Sequence, residues 1–186
     1  MLSQISLNKA GRVLHEGGVI AYPTEGVFGL GCLPERSDAV ARILDIKQRS
    51  SDKGLLLVAS HADQLGPWMD LSTDISISTS DAAAPITWIV PAAADAPDWL
   101  TGGRDTIAVR ISSFAPVAAL CEAARSALVS TSANVSGRPP ARNTYVLRRQ
   151  FCGLVDYVVP GKCGPARGPS EIRDLVSGKV LRHASK

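Results

Sequence analysis

Three cations lie at and just after the C-terminal end of one predicted helix in this 186-residue chain. They are Lys47, Arg49 and Lys53, which fall within seven residues. Ile43 and Leu44 lie on the apolar stripe of that helix, and Lys47 is the next position on the stripe. A lysine on a buried face needs an anion, and a triphosphate would supply one. Each cation taken singly is better explained as a helix C-terminal cap, so only the cluster indicates a binding site.

Two polar segments follow predicted strands, at the ends where ligands bind in open α/β sheets. Residues 22–32 (YPTEGVFGLGC) hold three glycines within six residues, which predicts a loop that can approach a ligand; an ordinary glycine-rich turn is an equal alternative. Residues 128–137 include Ser130, Ser132 and Asn134, donors and acceptors suited to phosphate, ribose or base edges. By composition alone the second segment is better explained as a polar turn. Neither segment has the spacing of a Walker loop or a GxGxxG motif.

Arginines at or beyond strand ends add positive charge to the same regions. Arg110 ends the predicted strand TIAVR, Arg142 follows the serine-rich segment, and Arg182 lies near the C-terminus. A guanidinium at a strand end suits bidentate capture of a carboxylate or phosphate, although a single arginine is more often a solvated surface charge. The three histidines lie outside these segments, so the sequence gives no support for a Ser-His-Asp or Cys-His arrangement.

The overall composition narrows the class of protein. Hydrophobic residues make up 45% and charged residues 20%, as in ordinary globular domains, and the net charge of +3 hints only weakly at an anionic partner. Four scattered cysteines without a CxxC pair argue against a zinc site or a redox pair. The apolar runs have strand length, and the N-terminus lacks a signal-peptide pattern, so we expect a cytoplasmic protein without a membrane segment.

Helices and strands alternate along the chain and must position these residues. The predicted helices are residues 5–16, 37–48 with Ser37 as N-cap, 114–125 and 143–151. The predicted strands are residues 19–22, 55–59, 86–90, 106–111, 127–131 and 155–159, with two short strands in 171–182. Residues 70–84 are ambiguous. The pattern predicts one α/β domain, residues 1–186, with a twisted mixed, partly parallel sheet flanked by helices.

Four motifs occur along the chain in the order in which one known family has them. They are YPTEGVFGLG (22–31), Lys47-x-Arg49, Ser132-x-Asn134 and PSEIRD (169–174). In combination they closely resemble the YrdC-domain family of threonylcarbamoyl-AMP synthases, over nearly the whole chain and in its short bacterial form. The sequence departs from the family at residues 81–87, where Asp-Ala-Ala-Ala-Pro-Ile-Thr stands in place of a Trp-Pro-Gly-Pro motif before a threonine.

This resemblance implies a YrdC-like sheet around a deep basic cavity and a nucleotidyltransferase reaction. L-Threonine, bicarbonate and ATP would give threonylcarbamoyl-AMP and pyrophosphate. The product would serve the N6-threonylcarbamoyladenosine (t6A) modification of tRNA, which partner proteins complete. The carbamate of threonine is already a nucleophile and pyrophosphate already a leaving group, so such an enzyme mainly positions anions and offsets their charge.

The resemblance also implies roles for individual residues. Lys47 and Arg49 are the expected catalytic residues. The expected ATP-binding residues are Lys47, Arg49, Lys53, Thr106, Ser132, Asn134, Arg142 and Arg182. The expected threonine-binding residues are Thr24, Arg110, Ser130 and Ser170. No tightly bound cofactor is expected, and Mg²⁺ would arrive with ATP, with Glu25 and Asp52 as speculative contacts.

Two alternatives stay open at the level of sequence. A non-catalytic module that binds double-stranded RNA, tRNA or rRNA would need only distributed positive charge, whereas adenylate formation needs the particular set of Lys47, Arg49, Ser132 and Asn134. Carbamoyl transfer in hydrogenase maturation is less favoured, because the acylphosphatase and zinc-finger segments of those longer chains do not occur in these residues.

Overall fold

The computed structural model describes residues 2–70 and 77–184, so residues 71–76 of the ambiguous segment 70–84 lie outside the described residues. The helices are Gln4–His15 (α1), Ser37–Lys47 (α2), Asp98–Thr101 (α3), Ala115–Ala124 (α4) and Thr144–Phe151 (α5), with 3-10 turns at Ser51–Lys53 and Ala62–Trp68. The strands are Ile20–Pro23 (β1), Phe28–Cys32 (β2), Leu56–Ala59 (β3), Thr79–Ser80 (β4), Ile86–Pro91 (β5), Thr106–Ser112 (β6), Leu128–Ser132 (β7), Tyr157–Val158 (β8), Glu171–Asp174 (β9) and Val180–Arg182 (β10).

These strands form one mixed sheet in the order β10-β9-β5-β6-β3-β7-β2-β1-β8, with β4 paired to β6 outside that path. The β3–β6, β4–β6, β5–β9 and β1–β8 pairs are parallel, and the remaining pairs are antiparallel. The predicted mixed, partly parallel sheet with flanking helices is therefore confirmed. Strands that are distant in sequence are neighbours in this sheet, such as β2 and β7 or β5 and β9, and this arrangement brings distant motifs together.

Both faces of the central sheet are buried, and successive residues of a strand pack on opposite faces. In β3, Leu57 packs into one apolar cluster with Val40 and Ile43 of α2, whereas Val58 packs on the opposite face. The second cluster is completed by helices α1 and α4, which contribute residues such as Leu120. Central strands that are buried on both faces read as continuous apolar runs, which is why β3 was predictable. No described helix is long and apolar enough to cross a membrane.

The glycine-rich segment corrects one prediction, because residues 28–32 form strand β2 rather than a loop. A Cβ at Gly31 would lie 2.6 Å from the main-chain oxygen of Val129 and 2.8 Å from the ring of Tyr22. Glycine is therefore required by the close approach of neighbouring strands and the tyrosine ring, and not by a flexible turn. Only residues 24–27 connect β1 to β2.

Several element boundaries also differ from their predictions. Ser37 is the first residue of α2 and not its N-cap; Arg36 occupies the cap position and makes no side-chain capping hydrogen bond. The predicted strand 155–159 shortens to Tyr157–Val158, because only these residues pair with β1. The short elements α3 and β4 were not predicted, since four and two residues carry no readable periodicity.

Candidate active site

Two adjoining cavities lie where the ends of several strands meet. The first cavity has a volume of about 260 Å³ and lies against the β1–β2 turn, the end of β7 and residues 166–170. The second cavity has a volume of about 510 Å³ and lies against β5, β6, β10 and the end of α3. Pockets for drug-sized ligands hold roughly 300–1,000 Å³. The first cavity therefore suits a small molecule, and the second suits a larger one.

The structure brings most of the predicted binding residues to these cavities. The four residues expected to bind threonine all line the first cavity: Thr24, Arg110, Ser130 and Ser170. The residues expected to bind ATP divide among several places. Arg49 and Arg182 line both cavities, Ser132 lines the first, and Lys53 and Thr106 line the second. Lys47 and Asn134 line neither of these two cavities, and Arg142 lines a third cavity.

Arg110 is held in place by a buried carboxylate. Its Nη1 donates to Oε2 of Glu25 at 3.1 Å and its Nη2 donates to Oγ1 of Thr87 at 2.8 Å. The side chain of Glu25 is 3% exposed and that of Arg110 is 11% exposed, so this ion pair is largely shielded from solvent. Ser112 donates to the other oxygen of Glu25 at 2.6 Å. The guanidinium therefore has a fixed orientation at the wall of the first cavity.

The same network extends to Arg182. The hydroxyl groups of Thr87 and Ser170 lie 2.8 Å apart, and both residues are buried. Arg182 donates from Nε and Nη2 to the main-chain oxygen of Ser170, at 3.2 and 2.8 Å. Desolvation, with a smaller contribution from the charge of Arg110, lowers the pKa of Arg182. Two cations that disfavour each other at the junction of the cavities would be stabilised by a bound anion.

Lys47 is buried, as the helical periodicity predicted: the residue is 2% exposed. Its Nζ donates to the main-chain oxygens of Ser132 and Asn134, the latter at 3.0 Å, and to Oδ1 of Asn134 at 3.2 Å. Desolvation and the nearby charge of Arg49 lower the pKa of Lys47 to about 8. Three protein oxygens thus satisfy the ammonium group, so its burial does not by itself require the anion that the sequence suggested.

Gln48 turns the backbone between Lys47 and Arg49, so the side chains of these two residues point in different directions. Helix α2 ends at Lys47, and Gln48 adopts a left-handed conformation with φ of 49°. Arg49 consequently leaves the helix and reaches the wall shared by both cavities, where its Nη2 donates to the main-chain oxygen of Gly54 at 2.9 Å. Desolvation lowers the pKa of Arg49, and its Nε is buried without a hydrogen-bond partner. The positive charge of Arg49 therefore lies at the wall that the two cavities share.

The hydroxyl groups of the first cavity are held by local hydrogen bonds. Ser132 donates to Oδ1 of Asn134 at 2.5 Å, and the amide nitrogen of Asn134 donates to the main-chain oxygen of Arg138 at 2.8 Å. The buried hydroxyl of Tyr22 donates to Ser130 at 2.8 Å. Desolvation raises the pKa of Tyr22, so this donor stays protonated. The polar segment after β7 is therefore an ordered turn with a defined set of polar groups.

A third cavity, of about 550 Å³, lies on the other side of the 24–27 turn. It is lined by Arg142, Lys162 and Arg167, and it shares Gly26 and Ala166 with the first cavity. A Cβ at Gly26 would lie 2.6 Å from the main-chain oxygen of Ala166, so the two backbones are in close contact there. Arg142 thus lines a different cavity from Arg49 and Arg182.

Comparison with known proteins identifies the family. The Sua5/YciO/YrdC family model, whose description is telomere recombination, matches residues 12–184. The chain belongs to this family. The resemblance proposed from the sequence motifs is thereby confirmed.

Relatives of this Sua5/YciO/YrdC domain include proteins named threonylcarbamoyl-AMP synthase. The one from Nitrosococcus oceani is 49% identical over 175 residues, which cover 93% of this chain and 95% of the relative. The one from Xanthomonas euvesicatoria is 46% identical over 186 residues, which cover 98% of this chain and all of the relative. Both similarities therefore extend over nearly the full length of each protein.

Solved structures share the fold. P. abyssi Sua5 in complex with L-threonine superposes with a TM-score of 0.82 at 27% identity, over 95% of this chain and 53% of that protein, so the chain spans about half of Sua5. E. coli YciO superposes with a TM-score of 0.77 at 24% identity, over 97% and 90% of the two chains, which supports the fold alone.

Residues 81–87, where the sequence departs from the family motif, still contribute side chains to the first cavity and to the Arg110 network. The carboxylate of Asp81 accepts a hydrogen bond from the main-chain nitrogen of Ala83 at 2.8 Å, which closes a turn without the expected tryptophan and glycine. The turn delivers Pro85 to the first cavity and Thr87 to Arg110. The departure therefore changes the turn but leaves these two residues at the site.

Three residues of the Arg110 network had no assigned binding role in the sequence interpretation: Glu25, Thr87 and Ser112. Glu25 was considered only as a speculative contact of Mg²⁺. Ser112 was detectable in principle, because it lies two residues after Arg110 and thus on the same face of β6. The partnership of Glu25 and Arg110 had no local signal, since 85 residues separate them.

Proposed function

We propose that this chain is a threonylcarbamoyl-AMP synthase, which forms threonylcarbamoyl-AMP and pyrophosphate from L-threonine, bicarbonate and ATP. The observation that carries the proposal is the pairing of a small cavity with a larger one across a shared wall that contains Arg49 and Arg182. An amino acid and a nucleotide have this difference in size, and each brings negative charge to the wall. Full-length relatives with this name favour the enzyme over a non-catalytic RNA-binding module.

L-Threonine is the proposed ligand of the first cavity. Its carboxylate would pair with Arg110, the only arginine in that wall, among the described residues, that is braced by a buried carboxylate. Thr24, Ser130 and Ser170 would supply hydroxyl groups to the polar parts of the amino acid. The L-threonine complex of P. abyssi Sua5, which has the same fold, supports this assignment.

ATP is the proposed ligand of the second cavity and of the junction. Ile89, Ile107 and Leu181 give the second cavity an apolar wall against which a base or ribose can pack. Polar and charged groups that would contact the nucleotide surround this wall. They are Arg49, Lys53, Thr106, Ser132, Asn134 and Arg182, with Arg142 as a more remote contributor.

The proposed reaction forms one bond and breaks one bond at phosphorus. The amino nitrogen of threonine first forms a C–N bond with the carbon of bicarbonate, and water is lost to give the carbamate. An oxygen of the threonine carbamate then attacks the α-phosphorus of ATP, and the bond from that phosphorus to the oxygen bridging to the β-phosphate breaks, so pyrophosphate leaves with the electron pair. Arg49 stands at the junction of the cavities, where the charges of both substrates meet. Lys47 adds positive charge behind this point and fixes the turn of Ser132 and Asn134. Positioning and charge compensation are the main requirements for such a transfer.

Mg²⁺ fits this scheme as part of the Mg–ATP substrate. Among residues 2–70 and 77–184, no group of three or more His, Cys, Asp or Glu side chains could hold a metal ion. Both oxygens of Glu25 already accept hydrogen bonds, from Arg110 and Ser112. The phosphate oxygens of ATP would therefore be the main ligands of the ion.

The product would pass to the proteins that complete the t6A modification of tRNA, in the cytoplasm. A direct test incubates the purified protein with ATP, L-threonine and bicarbonate and detects threonylcarbamoyl-AMP by mass spectrometry. We expect the product only when all three substrates are present. Absence of product, together with tight binding of tRNA or double-stranded RNA, would instead support the non-catalytic RNA-binding module.

A further inference from the structure

We propose that Glu25 is a positioning residue for amino-acid binding, which acts through Arg110 and links the first cavity to Arg182 in the second. This inference rests on the proposed function, because it takes the ligand carboxylate to be that of L-threonine. It assigns to Glu25 a role in substrate affinity and in communication between the two substrates.

The buried position of Glu25 is the first argument. The residue is 2% exposed, and each carboxylate oxygen accepts one hydrogen bond, from Arg110 at 3.1 Å and from Ser112 at 2.6 Å. A buried ion pair seldom contributes net stability compared with an apolar pair of the same shape. The retention of charge in the cavity wall is more simply explained by a requirement to orient Arg110.

The geometry of Arg110 is the second argument. Glu25 holds Nη1 and Thr87 holds Nη2, so both terminal nitrogens are fixed, while Nε is buried without a partner. A planar guanidinium recognises a carboxylate through a pair of parallel hydrogen bonds, which requires a defined plane. Without Glu25 the side chain of Arg110 would gain rotational freedom. Ligand binding would then have to order this side chain, and the loss of conformational entropy would weaken the affinity.

The continuation of the network is the third argument. From Arg110, hydrogen bonds run through Thr87 and Ser170 to Arg182, which lines both cavities. An anion that binds Arg182 would favour one arrangement of Ser170 and Thr87, and thereby one orientation of Arg110. Binding of the nucleotide and binding of threonine should then increase each other's affinity by the same factor.

A role as general base fits Glu25 less well. Both of its oxygens already accept hydrogen bonds, one from Arg110 and one from Ser112. A base would have to give up one of these hydrogen bonds in a buried environment, which is costly. The arrangement favours a fixed charge that orients its neighbour.

The test is calorimetric titration of L-threonine into the wild-type protein and into Glu25→Gln. The substitution keeps the size of the side chain and removes its charge. We expect the dissociation constant for L-threonine to rise about 10- to 100-fold, in line with the loss of a charge-assisted hydrogen bond. Glu122→Gln is the matched control, since Glu122 is an exposed glutamate that also accepts a hydrogen bond from a serine, Ser60. This variant should bind L-threonine with the same dissociation constant as the wild type.

A second titration tests the coupling. A non-hydrolysable ATP analogue should tighten threonine binding to the wild type but not to Glu25→Gln or Thr87→Val, and the two substitutions should be non-additive, because both release Arg110. A merely structural role would lower the unfolding temperature without removing this coupling. If Glu25→Gln fails to fold, Ser112→Ala, which removes one donor to Glu25, should still weaken threonine binding several-fold.

The outcomes separate this inference from the proposed function. If the wild type binds L-threonine and Glu25→Gln, or Ser112→Ala in its place, binds it equally well, the role of Glu25 is overturned and the proposed function stands. If the wild type does not bind L-threonine with or without nucleotide, the proposed amino-acid site fails and this inference fails with it.

Discussion

Lys47 donates hydrogen bonds to both the main-chain oxygen and the side-chain oxygen of Asn134, at 3.0 and 3.2 Å. Two motifs that lie 87 residues apart in the sequence are therefore joined by one buried ammonium group. The Lys-x-Arg motif contributes this group from the end of a helix, and the Ser-x-Asn motif contributes the oxygens from the end of a strand. The two motifs should consequently behave as one unit in substitution experiments.

Replacement of Lys47 by methionine should uncouple the two motifs. The change leaves the oxygens of Ser132 and Asn134 without their buried donor, which should lower the free energy of unfolding by about 1–3 kcal/mol. It should also reduce threonine-dependent pyrophosphate release at least about 100-fold, because charge compensation is lost at the same time. Chemical denaturation and a pyrophosphate assay measure the two effects.

Lys179→Met provides the control, since Lys179 is exposed and lies outside both cavities. This variant should match the wild type in both measurements. Wild-type activity in Lys47→Met would contradict the joint role of the two motifs.

The pKa of Lys47, lowered to about 8, predicts a pH dependence of activity. As the pH rises through this value, the free enzyme loses the ammonium proton and with it one of three hydrogen bonds, so kcat/KM for ATP should fall. Lys47→Arg stays charged and should lack this limb, whatever its absolute activity. The measurement is kcat/KM for ATP as a function of pH in both proteins. If kcat/KM decreased around pH 8 to the same extent in both, the decrease could not be assigned to Lys47.

The same group predicts an opposite trend in stability. Its pKa in the folded protein, about 8, lies below the 10.5 of an exposed lysine, so the unfolded chain binds more protons between these values. The contribution of Lys47 to the free energy of unfolding should therefore increase as the pH rises from about 8 to about 10.5. Denaturant titrations of the wild type and Lys47→Met across this range isolate the contribution of Lys47. If the free energy of unfolding of the wild type fell relative to that of Lys47→Met as the pH rose, the predicted direction would be contradicted.

Gly29→Ala should narrow the first cavity. Gly29 lines this cavity, and an added Cβ would lie 2.9 Å from Cγ2 of Thr24. We expect KM for L-threonine to rise several-fold while KM for ATP changes little. KM for ATP in the same variant is the control, because Gly29 lines the first cavity but not the second. Equal effects on both substrates would argue against separate cavities for threonine and nucleotide.

Arg182→Ala and Arg142→Ala test how far the nucleotide site extends. Arg182 lines both proposed substrate cavities, whereas Arg142 lines the third cavity behind Gly26. We expect KM for ATP to rise about 10-fold or more in Arg182→Ala, as for the loss of a charged hydrogen bond, and to rise less in Arg142→Ala. Initial rates at varied ATP measure both. A larger effect of Arg142→Ala would mean that ATP contacts the third cavity.

Local sequence patterns predicted those features that depend on local periodicity. The buried position of Lys47 followed from the apolar stripe of α2. The prediction that Arg110 ends a strand was wrong, because β6 continues through Ile111 to Ser112. Strand β2 was missed because the glycines that looked like a loop are required by Tyr22 and the neighbouring strands. Such contacts between strands have no signal in the sequence of the segment itself.

The hydrogen bonds and ion pairs of the site were not predictable for the same reason. Glu25 and Arg110 are distant in sequence, and only the sheet brings the β1–β2 turn to the face of β6. Arg142 was grouped with the other cations from its place after the Ser-x-Asn motif, yet it lines the third cavity, whereas Arg49 and Arg182 line the first two. The motifs predicted candidate residues for the site, and three-dimensional packing determined their hydrogen-bond partners.

The most direct test of the proposed activity uses isotopically labelled bicarbonate in the reaction with ATP and L-threonine. The proposal predicts that the label appears in threonylcarbamoyl-AMP and that pyrophosphate is released in equal amount, with both signals strongly reduced in Arg49→Ala. Pyrophosphate release that does not depend on threonine, or product without label, would contradict it.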